Sequence, residues 1–116
     1  MRLTQAAIIA ALALTAPCSW ASAPPSTTIT LTLADHRFSP TSISAPAGET
    51  IRIVLINHDG ATEEFDSHDL RVEQLVTPHA QISFNIGPLR AGRYAFMGEF
   101  HPETAQGQII AIERAR

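Results

Sequence analysis

The chain has 116 residues, enough for one domain, and carries eleven acidic residues against eight arginines and no lysine, for a formal charge of −3 at pH 7. This balance excludes the basic stripe on which nucleic-acid-binding proteins rely. Cys18 and Trp20, the single cysteine and the single tryptophan, both lie near the N-terminus.

The first 23 residues have the pattern of a secretory signal peptide. Arg2 gives a positive start, an apolar run follows from Ala6 to Ala16, and Ala21-Ser22-Ala23 fits a small-residue cleavage site. The apolar run is shorter than the roughly 20 residues of a membrane-spanning helix. We therefore expect export to the periplasm. Cleavage after Ala23 would remove Cys18 and with it any disulfide or thiolate chemistry.

Short strands separated by turns fill the rest of the chain. Residues 24–28 are interpreted as a short leader and residues 29–116 as one domain, which begins with Ile29, Leu31 and Leu33 alternating with threonines. About seven strands and no sizeable helix predict an all-β Greek-key sandwich. The other predicted strands are residues 43–46, 50–57, 72–76, 81–86, 93–100 and 108–113.

A short signature before the 93–100 strand agrees with this fold. Leu89 to Tyr94 (LRAGRY) is similar to the corner of Greek-key sandwiches, in which a tyrosine hydroxyl bonds to upstream backbone. The alternative is a tyrosine that merely begins a strand after a glycine turn.

The stretch from Tyr94 to Gly107 carries metal-binding side-chain types. Because a strand has period two, Met97, Glu99 and His101 share one face, opposite the apolar face. This row holds a thioether, a carboxylate and an imidazole. If the strand end bends, two neighbouring side chains of the row can bind one ion.

The stretch from Asp59 to Glu73 is strongly acidic and is predicted to be irregular. Its six acidic residues repel one another unless a cation neutralises them. A solvated acidic loop is the alternative. Phe65 indicates that one side of the loop packs, which would fix Glu64 and Asp66 near it.

These motifs, in this order and spacing, resemble the cupredoxin superfamily, and within it the EfeO-type cupredoxin-like domains of bacterial iron and copper handling. The resemblance covers about residues 29–113. It rests on Phe38-Ser39-Pro40, Ala47-Gly48-Glu49, Ile56-Asn57-His58-Asp59, Glu64-Phe65-Asp66-Ser67, Pro88 to Tyr94, and Gly98-Glu99-Phe100-His101 through Gly107.

The chain departs from the blue-copper members at their thiolate ligand. They carry Tyr-x-Phe-x-Cys-x-x-His, to which Tyr94, Phe96 and His101 correspond, but Gly98 stands at the cysteine position. No methionine follows at the axial position, and an acidic residue replaces the upstream histidine. Ordinary blue-copper electron transfer is therefore not expected.

The ligand set that the resemblance implies contains oxygen and nitrogen donors. Glu64 and His101 are predicted to bind the ion directly, with Glu99, Met97 and Asp66 completing or supporting the site. Imidazole and carboxylate ligands suit copper(II), iron or zinc, and a thioether shifts the preference towards copper(I). We expect copper first and iron second.

The other histidines carry weaker signals. His36 and His79 lie beside turns and are expected to be exposed to solvent. His58 lies in the loop after a central strand and could approach the site, while His68 has acidic neighbours that leave its position open between the surface and a supporting role.

The resemblance implies a periplasmic metal-binding protein that assists iron uptake or oxidation, beside a periplasmic iron-binding protein and a membrane permease. Two alternatives stay open: a metal-free domain whose acidic loop docks a transport partner, and a copper-dependent ferrous iron oxidase. No Ser/His/Asp set or phosphate loop appears, so any catalysis would be metal redox chemistry.

Overall fold

The computed structural model describes residues 10–13, 25 and 27–114. The predicted signal peptide and leader therefore lie almost entirely outside the described residues. Within those residues, no helix has the length and apolar character needed to cross a membrane.

Nine β-strands and no helix make up the described part of the chain. The predicted all-β sandwich is confirmed, with two strands more than expected. The strands are β1 (Thr27–Ala34), β2 (Arg37–Ser39), β3 (Ser42–Pro46), β4 (Ile51–Asn57), β5 (Glu63–Ser67), β6 (Val72–Val76), β7 (Gln81–Ile86), β8 (Gly92–Gly98) and β9 (Gln106–Ile112).

The two additional strands are β2 and β5. The first lies at the motif Phe38-Ser39-Pro40, where β2 pairs antiparallel with β1 as a hairpin. The acidic stretch is not irregular, since Glu63–Ser67 forms β5 between β6 and β8. The backbone hydrogen bonds of a sheet outweigh the low strand preference of its acidic side chains.

The strands form two packed sheets. One has the order β2-β1-β4-β7 and the other β3-β9-β8-β5-β6. The pairs β1/β4 and β3/β9 are parallel, and the remaining pairs are antiparallel. Connections that cross between the sheets produce this Greek-key arrangement, which gathers loops at each end of the sandwich.

Alternating apolar residues from both sheets fill the space between them. Ile51, Ile53 and Leu55 of β4 are buried, as the alternation of that strand predicts. Phe65 and Phe96 stack with ring centroids 5.0 Å apart in the opposite sheet. Aromatic rings contribute large buried areas, so these contacts stabilise the middle of the sandwich.

The predicted tyrosine corner is confirmed. The hydroxyl of Tyr94 donates a hydrogen bond of 2.7 Å to the carbonyl of Arg90. This bond ties the start of β8 to the loop before it.

The contact between β5 and β8 is partly made by side chains. Their backbone register includes only Phe65 with Gly98 and Asp66 with Met97. Farther along, Ser67 Oγ donates to the carbonyl of Ala95 at 2.7 Å. The amide of Ala95 in turn donates to Asp69 Oδ2 at 2.9 Å.

Candidate metal centre

Three potential ligand side chains meet at one end of the sandwich. His36 lies in the β1–β2 turn, Glu63 begins β5, and His101 follows β8. One ligand atom from each residue lies within 4.8 Å of the ligand atoms of the other two. Three distant parts of the chain therefore form one cluster, which we call the His36–Glu63–His101 site.

Glu63 forms the buried floor of this site. It begins an alternation in which Glu63, Phe65 and Ser67 face inward, and it is only 1% exposed. Its Oε1 accepts hydrogen bonds from the amides of Glu64 at 3.0 Å and Phe100 at 2.9 Å. A buried carboxylate is costly unless it has such partners.

His101 completes the hydrogen bonding of that carboxylate. Its Nδ1 lies 2.6 Å from Glu63 Oε2, which is a hydrogen-bond distance to the second carboxylate oxygen. The turn that follows β8 presents the ring, because the amides of Thr104 and Ala105 both donate to the His101 carbonyl. The position of the imidazole is thus fixed from both its backbone and its ring.

The ring of His36 lies on that of His101. The ring centroids are 3.6 Å apart and the ring planes differ by 14°. The side chains of His36 and His101 are 43% and 30% exposed, so the pair covers the buried carboxylate and also borders solvent. An ion can therefore reach this end of the molecule without passing through the core.

Asp59 is the second carboxylate near the site. Its Oδ2 lies 3.6 Å from His36 Nδ1, an ion-pair distance rather than a hydrogen bond. Burial alone would raise the pKa of Asp59, but hydrogen bonds from the backbone amides of His36 and Asp35 outweigh it and lower that pKa below its ordinary value.

Gly98 explains why a blue-copper thiolate does not fit here. A Cβ atom at this position would lie 2.7 Å from Glu63 Cδ and 2.7 Å from Ala105 Cβ. Such distances are far inside van der Waals contact. The carboxyl group of Glu63 therefore lies against the position from which a cysteine side chain would extend.

Of the residues predicted from the sequence to bind metal, His101 belongs to this site. The structure places Glu64, Asp66 and Met97 on the outer face of the sheet, where they alternate with the inward-facing residues of β5 and β8. The predicted 93–100 strand ends at Gly98, so Glu99 lies in the turn after β8, with its side chain hydrogen-bonded to Asp66. These four side chains are not brought together with the rings of His101 and His36.

The outer face carries its own concentration of negative charge. A hydrogen bond with the Asp66 side chain, followed by repulsion from Asp66, Glu64 and Glu73, raises the pKa of Glu99 above its ordinary value. Glu99, just after β8, and the acidic residues of β5 and β6 are thus close enough to affect one another.

Two members of the site were not predicted from the sequence. His36 was expected to be exposed at a turn, but its ring packs on His101, whereas His79 is exposed as predicted. Glu63 could have been found by applying the period-two rule backwards from Phe65. No such local signal exists for His36, since its ring partner His101 lies in a turn far along the chain.

The match to a family model agrees with this architecture. The model for the cupredoxin-like domain matches residues 6–111. The chain belongs to the cupredoxin-like domain family. This cupredoxin-like domain is 43% identical over 82 residues to an uncharacterised protein of Rickettsia prowazekii, strain Madrid E. The matched segment covers 71% of this chain and 66%, just under two thirds, of that protein.

Solved structures share the fold at low sequence identity. Auracyanin B superposes with a TM-score of 0.66 at 15% identity, covering 79% of this chain and 93% of that one. Auracyanin A, a "blue" copper protein from Chloroflexus aurantiacus, gives a TM-score of 0.63 at 14% identity, covering 73% of this chain and 98% of that one. These similarities establish the fold of the cupredoxin-like domain, and an EfeO-type assignment stays a prediction.

Proposed function

We propose that this cupredoxin-like domain binds a copper ion through His36, Glu63 and His101. The observation that carries the proposal is the meeting of these three side chains, from three separate parts of the chain, with ligand atoms within 4.8 Å of one another. The cupredoxin fold supports copper in particular, because the structurally similar auracyanin A is a "blue" copper protein.

The donor set fits a copper(II) ion without a thiolate. Two imidazoles and one carboxylate are nitrogen and oxygen ligands, and such sites bind Cu²⁺ more tightly than the other divalent first-row metals. A cation also neutralises Glu63, which is 1% exposed and whose negative charge is costly to bury.

The protein's own residues hold these donors close together, with the two imidazole rings face to face. The amides of Glu64 and Phe100 hold Oε1 of Glu63, which leaves Oε2 directed at His101. Contact with the ring of His36 restricts His101 on its other side. Copper would supply a positive charge and a one-electron redox couple at a place open to solvent, while the protein would orient the ligand side chains.

Calorimetric titration with Cu²⁺ tests the proposal. Each of His36→Ala, Glu63→Gln and His101→Ala should weaken Cu²⁺ binding at least about tenfold, or ~1.4 kcal/mol, because each removes one ligand. His79→Ala, which changes an exposed histidine outside the cluster, should bind as the unmodified protein does.

Glu64→Gln decides between the two neighbouring glutamates. It should leave Cu²⁺ affinity nearly unchanged, because the side chain of Glu64 belongs to the outer face. Loss of Cu²⁺ affinity in Glu64→Gln but not in Glu63→Gln would show that copper binds at the outer-face residues predicted from the sequence. Unchanged binding by His101→Ala would overturn both arrangements.

Iron is the second candidate metal, because two histidines and one carboxylate are also the ligand types of non-haem Fe(II) sites. Anaerobic titration with Fe²⁺ beside Cu²⁺ ranks the two ions. Turnover of Fe²⁺ by the copper-loaded protein would support a ferrous oxidase. If neither ion bound, the metal-free interaction domain would be the remaining hypothesis.

The cellular setting is part of the same proposal. We place the protein in the periplasm, as an accessory to iron uptake or oxidation beside a periplasmic iron-binding protein and a membrane permease. The support is the signal-like pattern of residues 1–23 together with the resemblance to EfeO-type domains.

A further inference from the structure

The turn that carries His36 has an unusual backbone. Asp35 and His36 join β1 to β2 as a two-residue turn, and both have positive φ, 52° and 58°. This is the pattern of a type I′ hairpin turn, in which both central residues are left-handed. For residues other than glycine the left-handed region costs on the order of 1 kcal/mol each, so surrounding contacts must stabilise it.

Asp59 supplies those contacts from another loop. Its Oδ1 accepts a hydrogen bond from the amide of Asp35 at 2.7 Å, and its Oδ2 accepts one from the amide of His36 at 3.0 Å. One carboxylate thus binds both amides of the turn. The same Oδ2 lies 3.6 Å from His36 Nδ1, on the ring itself.

Asp59 is in turn held by the core. Its amide donates to Asn57 Oδ1 at 2.9 Å, and Asn57 is only 1% exposed. The Asn57 side chain donates to the carbonyls of Ala61 at 2.8 Å and Thr77 at 3.1 Å. Hydrogen bonds therefore run without interruption from the end of β4 to the turn that carries His36.

We propose that Asp59 is the positioning residue that holds His36 against His101 and thereby determines the copper affinity of the His36–Glu63–His101 site. This inference rests on the proposed copper-binding function. Asp59 accepts hydrogen bonds from the two amides of the turn and so holds the backbone from which the His36 ring extends. It also places a negative charge 3.6 Å from Nδ1 of that ring. Fixing the position of a ligand through such an outer partner is a common way to tune metal affinity.

A purely structural role for Asp59 would have a different signature. If Asp59 only stabilised the fold, its loss would lower Cu²⁺ affinity whether or not His36 were present. If it acts through His36, its loss has no further effect once His36 is removed. A double-mutant cycle separates the two cases.

The experiment is Cu²⁺ titration of the purified protein and the variants Asp59→Ala, His36→Ala and His36→Ala/Asp59→Ala. Asp59→Ala should weaken Cu²⁺ binding about tenfold. The double variant should bind Cu²⁺ within about twofold of His36→Ala, because the loss of Asp59 has no further effect once His36 is absent. Pulsed electron paramagnetic resonance of the Cu²⁺ forms should show two coordinated imidazoles in the unmodified protein and fewer in Asp59→Ala.

Asp35→Asn is the matched control, because it removes one negative charge beside His36 and keeps a residue type that tolerates the left-handed conformation. It should change Cu²⁺ affinity by less than about twofold. Asp59→Asn keeps one acceptor oxygen for the turn and should fall between Asp59→Ala and the unmodified protein. It also serves if Asp59→Ala does not fold.

The outcomes separate this inference from the proposed function. Absence of Cu²⁺ binding by the unmodified protein would refute both. Weak binding by His36→Ala with unchanged binding by Asp59→Ala and Asp59→Asn would refute the positioning role alone. An equal loss from Asp59→Ala in both backgrounds would also refute it, because the effect would then not pass through His36.

Discussion

Gly98 and Glu63 are complementary in size, because the carboxyl group of Glu63 lies where a side chain at position 98 would begin. Where blue-copper proteins of similar sequence pattern have a cysteine, this chain has no side chain, and the carboxyl group of Glu63 lies within 2.7 Å of the Cβ position. The glycine is therefore explained by the space that the buried glutamate needs. Any side chain at position 98 must compete with the acid for the same volume.

Gly98→Ala should consequently destabilise the protein by about 1–3 kcal/mol, the usual cost of overpacking a filled site. It should also weaken Cu²⁺ binding, because Glu63 must move away from His101. Urea unfolding followed by circular dichroism measures the first effect and calorimetry the second.

Gly60→Ala is the control for that substitution. A Cβ at Gly60 would meet only His79 Nε2 at 3.8 Å, an ordinary contact. Its free energy of unfolding should stay within about 0.5 kcal/mol of the unmodified value. A Gly98→Ala variant as stable as Gly60→Ala would show that Glu63 does not occupy this space.

Strand β5 is the element that the sequence predicts least well. Its acid-rich sequence predicts an irregular loop, because Phe65 is the single apolar residue from which the inward face of Glu63–Ser67 could be recognised. Strands with apolar alternation, such as β1 and β4, could be predicted because burial itself is the signal. The strand character of β5 comes from pairing with β6 and β8, which no local pattern reveals.

The outer face of β5 and β8 makes stability depend on pH. The folded protein raises the pKa of Glu99 above the ordinary value of 4.5, so ionised Glu99 is less favourable in the folded state than in the unfolded chain. This unfavourable contribution is absent below the ordinary pKa and present above the raised one. Glu99→Gln should therefore increase the free energy of unfolding near neutral pH and lose this advantage in acid.

Urea unfolding of Glu99→Gln and the unmodified protein at both pH values measures that difference. Glu113→Gln, at an exposed acid just after β9, is the control for removing one charge. If Glu99→Gln were no more stable near neutral pH than Glu113→Gln, repulsion on the outer face would be too weak to matter.

The fold of the whole cupredoxin sandwich could be predicted from the sequence, but its candidate metal site could be predicted only in part. Turn spacing, apolar alternation and the Tyr94 corner sufficed for the fold, because each is a local pattern. The site depends on which loops meet in three dimensions. His101 was identified through its motif, whereas His36 becomes a candidate only when the β1–β2 turn is seen beside the end of β8.

The colour of the copper-loaded protein tests the site as a whole. Cu²⁺ bound by imidazole and carboxylate should lack the intense blue absorption of thiolate–copper sites, because no sulfur ligand is present at Gly98. Visible spectroscopy after loading with one equivalent of Cu²⁺ measures this. A strong blue band that survives replacement of Cys18 would contradict the assigned donor set.

Phe65 fixes the register of β5 in addition to filling the core. Moving β5 by one residue would turn Glu63 outward and Glu64 inward, so either register offers a carboxylate to the histidines. Only the observed register keeps Phe65 against Phe96 and Asp66 out of the hydrocarbon interior. An aromatic residue without any ligand atom therefore selects which of two adjacent glutamates faces the site. Insertions or deletions before β5 should accordingly be aligned on this aromatic position when related domains are compared, and not on the acids.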